Sequence, residues 1–158
     1  MSTRRSLTAC GVLVLGIAVA GCGQSGSHQI SSPHGIPLVA GVRIVAQTRS
    51  CDRGANPYCS LQLVVVGARY PTATALLTGE EQRLRTVGWT STVGDTPKER
   101  SADSPGHKLR LSYALAADDL ESWDLGSLKR RPSIARALAA TMFERVPALS
   151  LMLQAGSS

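Results

Sequence analysis

The longest apolar run of the chain, from Leu7 to Ala20, lies at its amino terminus and decides how much sequence is left to fold. Arg4 and Arg5 precede the run, and the small residue Gly21 follows it. A membrane-spanning helix needs roughly 20 consecutive apolar residues, so this run is too short to span a bilayer comfortably. A basic start, a short apolar run and small residues form the pattern of a signal peptide. We therefore expect residues 1–21 to be removed, which leaves 137 of the 158 residues to fold.

The apolar run ends at a cysteine, and Val19-Ala20-Gly21-Cys22 resembles the lipobox of bacterial lipoproteins, although that family usually has leucine where Val19 stands. The resemblance covers only the first 22 residues. It implies that the Cys22 thiol receives a diacylglyceryl group, that a peptidase cleaves before Cys22, and that the new amine is acylated. Two or three acyl chains bind a membrane stably, whereas one chain binds it marginally. The resemblance thus implies a lipid anchor at the outer face of the cytoplasmic membrane. The alternative is an ordinary signal followed by an incidental cysteine.

The export route has two interpretations. Thr3-Arg4-Arg5-Ser6-Leu7 partly resembles a twin-arginine export signal. Paired arginines are also common at the start of signals that use the general route, so both routes stay open.

Two cysteines, Cys51 and Cys59, remain once Cys10 is removed with the signal and Cys22 is lipidated. An exported chain meets an oxidising setting, which favours disulfides. The segment between the two cysteines is rich in turn-forming residues. Their spacing fits neither a C-x-x-C redox motif nor a four-ligand zinc set. The pattern therefore predicts a structural Cys51–Cys59 disulfide.

Residues 22–37 are rich in Gly, Ser and Pro and are predicted to form a flexible tether, with a single domain over 38–158. His28 and His34 lie in this tether. Two histidines in a flexible segment make poor metal ligands, because closing the chelate has a large entropic cost. We expect no metal or other cofactor.

The net charge of +6 falls to about +4 when the signal is removed, and most of the basic residues are arginines. Aromatic residues make up 4% of the chain, which disfavours a base-stacking surface and hence a nucleic-acid partner. The remaining positive charge either lies near anionic lipid headgroups or is ordinary solvated charge.

Hydrophobic periodicity predicts the elements of the domain. The predicted elements are an extended segment over 37–51, a buried strand over 60–70, a helix over 71–89, a short strand over 89–93, a strand over 108–115, a helical turn over 116–127, a helix over 133–146 and a last strand, or a helical end, over 148–154. Thr72 or Thr78 is expected to cap the first helix. Residues 94–108 are predicted to be a polar loop. In the second main helix, one apolar row ends at Met142 and the next at Phe143.

The order of these elements favours an α+β fold of the ferredoxin-like kind, a split β-α-β-β-α-β sandwich. In such a sandwich one antiparallel sheet carries two helices on one face and leaves the other face free. The alternation of Leu109, Leu111, Tyr113 and Leu115 with polar residues would place Lys108, Arg110 and Ser112 on the free face.

Catalytic signatures are scarce. No serine lies in a G-x-S-x-G motif, and no glycine-rich phosphate loop follows a strand. His107 lies beside the polar loop and is interpreted as a surface residue. Asp118, Asp119, Glu121 and Asp124 cluster near a predicted helix start, where acids favour the helix dipole, although paired carboxylates also support acid–base chemistry or calcium binding.

The basic run 129–131 is interpreted as solvated, with lipid or an acidic partner as the alternative. The chain loosely resembles the small exported lipoproteins that are common in actinobacteria, many of which have no assigned function. The features that carry the resemblance are the lipobox, the Cys-turn-Cys loop and Gly88-Trp89 after a helix.

We expect a non-enzymatic accessory or binding module for an envelope protein or component, with Lys108, Arg110 and Ser112 on its partner face. The alternative hypothesis is a small cell-envelope hydrolase that uses Asp118 and Asp119.

Overall fold

One antiparallel sheet of six strands forms the centre of the fold, and helices pack on both of its faces. The computed structural model describes residues 35–51, 59–92 and 95–155. The strands are β1 (Arg43–Cys51), β2 (Cys59–Val66), β3 (Thr90–Ser91), β4 (Glu99–Asp103), β5 (Leu109–Leu115) and β6 (Ala148–Ala155), in the sheet order β1-β2-β6-β5-β4-β3. The helices are α1 (Ala73–Thr86), α2 (Ala116–Glu121), α3 (Leu125–Arg130) and α4 (Pro132–Phe143).

The larger core lies between α1 and one face of the sheet. Leu63, Leu151 and Tyr113 stand side by side on β2, β6 and β5, and all three are buried. α1 covers this face with three buried leucines, Leu76, Leu77 and Leu84. Fully burying a leucine side chain stabilises a fold by about 1.5–3 kcal/mol. The helix begins where Thr72 accepts a hydrogen bond from the Ala75 amide at 3.0 Å, so Thr72 is the cap and Thr78 is not.

The smaller core lies on the opposite face, under α4. Ile134 and Leu138 of α4 are buried against Val64 and Val66 of β2 and Ala148 of β6. α2 packs against α4 on the same face. The contacts of α4 are confined to one end of β2, because the outward side chains of that strand change from valine to Gln62 and Ser60 towards its other end. A polar part of this face is therefore left without a helix core over it.

The α+β class with one antiparallel sheet is confirmed, but the structure departs from the ferredoxin-like order. Within the described residues the chain runs β-β-α-β-β-β-α-α-α-β, and the helices lie on both faces. The hairpin before the first helix supplies a complete edge strand, β1, in addition to β2. The predicted polar loop over 94–108 contains β4. The sequence of β4, ERSAD, has no apolar alternation, and the strand is held by backbone pairing with β5 and β3.

The end of α4 also differs from the sequence prediction. Met142 and Phe143, which were predicted to continue the apolar rows of this helix, are 41% and 91% exposed. The buried face of α4 consists of Ile134, Leu138 and Thr141, and Thr141 lies in the last turn. At about 100° per residue, Phe143 lies on the side of the helix opposite Ile134, and Met142 lies at the edge of the buried face.

The predicted disulfide between Cys51 and Cys59 is confirmed. The two cysteines are directly paired at the end of the β1–β2 hairpin where residues 52–58 connect the strands, with a Cα–Cα distance of 4.0 Å. Further along β1 the pairing register shifts between Ile44 and Ala46, which is a β-bulge in this edge strand. The predictions for residues 1–21, Cys22, His28 and His34 lie outside the described residues.

The segment that leads into β1 is tied to α1 by a buried carboxyl group. Glu80 has no exposed surface, and its Oε2 accepts a hydrogen bond from the Val39 amide at 2.8 Å. Ile36, which falls within the predicted tether, is also buried in the α1-side core. Burial raises the pKa of Glu80 to about 7, against the smaller lowering effect of the Val39 hydrogen bond.

The raised pKa of Glu80 predicts a stability that falls as pH rises. Well below pH 4.5 the carboxyl is neutral in both the folded and unfolded chain, but between about 4.5 and 7 it is mostly ionised in the unfolded chain and mostly neutral in the folded one. The wild-type chain should therefore lose free energy of unfolding over this window, on the order of 3 kcal/mol from this group. The Glu80→Gln variant lacks this titration. Urea unfolding across the pH range tests the prediction, with pH 4 as the control point. A constant difference between the two proteins would contradict it.

Candidate functional site

The part of the sheet that α4 leaves uncovered forms the floor of a groove, which we call the polar groove. Its outer part has a volume of about 360 Å³ and its inner part about 260 Å³. Gln62, Met152 and Arg131 line both parts, so the two adjoin. The remaining strand residues are polar in the outer part, namely Thr48, Ser50, Ser60 and Gln154, whereas the inner part has Ser112 and Ser150 together with Tyr113 and Ala114.

Arg131 lies between the two parts of the polar groove, and its guanidinium group is held on two sides. Its Nη1 donates a hydrogen bond to Gln62 Oε1 at 2.7 Å. Its guanidinium carbon lies 4.2 Å from the centre of the Trp123 ring, which is the geometry of a cation–π contact. Within the described ranges, no carboxylate oxygen lies within 4.0 Å of the guanidinium nitrogens. Arg131 is thus a fixed cation without a direct ion pair in these ranges, while Asp119 and Glu99 line the inner part beside it.

The floor of the polar groove fixes the orientation of Gln62, the hydrogen-bond partner of Arg131. Gln62 and Ser150 are both 5% exposed, and Gln62 Nε2 lies 3.4 Å from Ser150 Oγ. With Oε1 accepting from Arg131, the amide of Gln62 has a partner on each side. A buried amide that is satisfied in this way keeps one orientation, because turning it over would leave two polar groups unpaired.

Local sequence explains why Arg131 occupies this place. Pro132 is at the start of α4, and a residue before proline is disfavoured in helical conformation, so α3 ends at Arg130 and Arg131 follows it as the C-cap. Arg131 has φ −130° and ψ 58°, which turns the chain between the two short helices. On the other side of α3, Asp124 Oδ1 accepts from the Ser127 amide at 2.6 Å, and this hydrogen bond lowers the pKa of Asp124. The junction is therefore fixed at both ends of α3.

The charge of the polar groove changes along its length. Arg49 and Arg130 join Arg131 in the outer part, and no acidic side chain is among the described residues that line it. Asp119 and Glu99 line the inner part. The outer part therefore suits an anionic group, and the inner part does not.

The predicted partner face is divided by the structure. Lys108 is exposed just before β5, and Ser112 lies in the inner part of the polar groove. Arg110 forms a two-point ion pair with Asp103, with Nε–Oδ1 and Nη2–Oδ2 distances of 2.8 and 3.1 Å. This pair lowers the pKa of Asp103, with a smaller contribution from His107. The expectation that this face carries no helix is wrong, since α2 and α4 lie on it; binding of a partner by these residues stays a prediction.

The acidic cluster does not act as one group. Asp118 and Asp119 lie in the first turn of α2, as expected at a helix start. Asp118 forms an ion pair with Lys98, whereas Asp119 faces the inner groove, where its Oδ2 is buried without a hydrogen-bond partner in the described part of the chain. Glu121 is exposed, and Asp124 caps α3.

The two side chains with the largest pKa shifts are buried in the α1-side core, although Tyr113 also lines the inner part of the polar groove. Burial raises the pKa of Tyr113 to about 12, with a smaller effect from Asp95, and Glu80 has the raised pKa described above. Both side chains belong to the α1-side face and are 1% and 0% exposed. A ligand in solution has no access to either group in this conformation.

The basic run 129–131 is predicted to be solvated, whereas Arg131 is half-buried and lines the groove. The sequence carries a local signal for the backbone alone, because the residue before a proline is disfavoured in helical conformation. The contact with Gln62, 69 residues away, has no signal in the sequence.

No protein-family model, curated protein or solved structure matches this chain in the comparisons. Across 35–51, 59–92 and 95–155, no three or more His, Cys, Asp or Glu residues lie together as a metal site would require. In the same ranges, none of the helices has the length and hydropathy needed to cross a bilayer.

Removing the Arg131 side chain should destabilise the fold. The Arg131→Ala variant loses the contact with Trp123 and leaves Gln62 Oε1 without its donor, so we expect a loss of about 1–2 kcal/mol. Arg130→Ala is the matched control, because Arg130 is exposed and a surface substitution of this kind costs within about 0.5 kcal/mol. Urea unfolding measures both variants. Equal effects would show that Arg131 is not held as described.

Proposed function

We propose that this protein is a lipid-anchored, extracytoplasmic binding module without enzymatic activity, and that its polar groove binds an anionic group of a cell-envelope component. The anchor is Cys22, on the lipobox resemblance. The Cys51–Cys59 disulfide supports the location, because disulfides persist in oxidising compartments outside the cytoplasm.

The observation that carries the proposal is the fixed guanidinium of Arg131, which forms no ion pair within the described residues. A guanidinium group presents five N–H donors in a planar fork that matches a carboxylate or a phosphate. Trp123 and Gln62 already hold the fork in place, so little side-chain entropy is lost when an anion binds. Arg49 and Arg130 add positive charge along the same outer part.

The uncharged floor narrows the ligand class. Hydroxyl and amide side chains of Thr48, Ser50, Ser60 and Gln154 line the outer part of the polar groove. Such side chains both donate and accept hydrogen bonds, as the hydroxyl groups of a sugar or polyol require. The ligand that fits is therefore a phosphate- or carboxylate-bearing saccharide or polyol segment.

A second candidate, the small envelope hydrolase, is favoured by one observation: the unpartnered Oδ2 of Asp119 in the inner groove. The pairing of Asp118 with Lys98 removes the second carboxylate that the hypothesis assigned to it. If this candidate is right, the intact protein cleaves an envelope polymer and the Asp119→Asn variant does not.

Binding of small anionic probes tests the groove. We expect glycerol 1-phosphate or glucuronate to change the fluorescence of the full acylated chain in a neutral detergent, because an anion on Arg131 alters the surroundings of Trp123. Arg131→Gln should lose at least most of this response. Arg136→Gln removes the same charge from an exposed position on α4, outside the groove, and should keep it. The two probes separate a phosphate ligand from a carboxylate ligand. The same response in both variants, or no response to either probe, would contradict the assignment.

The anchor has its own test. We expect the intact mass of the membrane-extracted protein to correspond to a chain that begins at Cys22 and carries diacylglyceryl and acyl groups. The Cys22→Ala variant should leave the membrane fraction. A free Cys22 thiol or a retained Met1 would end the lipoprotein proposal.

A further inference from the structure

The end of the domain that holds the last turn of α4 exposes a large aromatic side chain among arginines. Phe143 is 91% exposed and Met142 is 41% exposed. Four exposed arginines, Arg43, Arg69, Arg136 and Arg145, belong to the elements at this end. We call these six residues the Phe143 end. A single exposed hydrophobic side chain is ordinary, but one within a basic surface is the composition of a membrane-contact site.

The fold brings the Phe143 end together from four separate segments. Arg43 at the start of β1 pairs with Val66 at the end of β2, and Val66 pairs with Ala148 at the start of β6. Arg69 lies in the turn after β2, with its Cδ close to Gly41, and Arg145 lies in the turn before β6. Arg136 is seven residues before Phe143 on α4, so both lie on the same side of that helix.

The Phe143 end has a net positive charge. In the described part of the chain, no carboxylate lies within 4.0 Å of the side-chain nitrogens of its four arginines. Glu144 is the exposed acid beside Phe143, and the nearby Asp118 is paired with Lys98. Arginines therefore outnumber free acids here, which complements a surface of anionic headgroups.

We infer that the Phe143 end rests on an anionic lipid surface, with Phe143 and Met142 at the level of the headgroups and the arginines on lipid phosphates. This inference rests on the proposed lipid anchor. Thirteen residue steps separate Cys22 from Gly35, and an extended chain of that length spans at most about 45 Å. A connection of this length limits how far the domain lies from the bilayer, but it does not determine which side of the domain faces the bilayer. Contact of the Phe143 end with lipid determines that side.

Fluorescence quenching in vesicles tests the inference on the full acylated chain. The Phe143→Trp variant places a tryptophan at a position that is exposed enough to accept it without disturbing the core. Leu125→Trp is the matched control, because Leu125 is 75% exposed and starts α3. The length of α4, roughly 18 Å, separates it from Phe143. The signal of the wild-type chain, from Trp89 and Trp123, is subtracted.

We expect phosphatidylglycerol vesicles with brominated acyl chains to quench the tryptophan introduced at position 143 several-fold more than the one at position 125. Vesicles of phosphatidylcholine alone, or the double variant Arg136→Gln/Arg145→Gln, should reduce that quenching. Equal quenching at the two positions in an acylated chain overturns the inference and leaves the anchor intact. Cross-linking from position 143 to an envelope protein, without quenching, also overturns it and assigns the surface to that protein. A mass without acyl groups on Cys22 overturns the anchor and this inference together.

Discussion

The pairing of β2 with β6 is the interaction on which the rest of the structure depends. The two strands pair over seven residues at the centre of the sheet, and Leu63, Val64 and Val65 have no exposed surface. β6 is also paired with β5, so it joins the hairpin β1–β2 to the strands β3–β5. Because β6 is the last strand of the chain, the two halves of the sheet meet only when the carboxyl-terminal segment lies between them. Neither core is complete without it, since Leu151 and Ala148 of β6 belong to one core each.

The same central strand also produces the polar groove. One end of β2 offers Val64 and Val66 to α4, and its other end offers Gln62 and Ser60 to solvent and to Arg131. A helix gains stability by covering the apolar end and gains little from covering the polar one. The polar groove therefore begins where the apolar side chains that favour helix packing end. Arg131 lies at that boundary because Pro132 starts α4 there.

Much of the local structure could be predicted from the sequence, whereas the arrangement of the elements could not. The apolar spacing of α1 and the alternation in β5 are short-range patterns that predicted their elements correctly, and the cysteine count and spacing predicted the Cys51–Cys59 disulfide. β4 was missed because ERSAD owes its strand conformation to its neighbours in the sheet. The sheet order and the contact between Arg131 and Gln62 depend on pairing between residues far apart in the chain, which the periodicity of either segment does not encode.

The bulge in β1 affects contacts between copies of the protein if many copies share one membrane. Proteins confined to a surface meet one another more often than in solution, and an open strand edge is a template for pairing between copies. β1 is such an edge, but its register shifts between Ile44 and Ala46, and it carries the exposed Arg43 and Arg49. A bulge bends the edge, and like charges repel each other. Two copies that approach along β1 therefore meet a bent strand edge that carries positive charge. On a shared membrane, this edge would therefore disfavour strand pairing between copies.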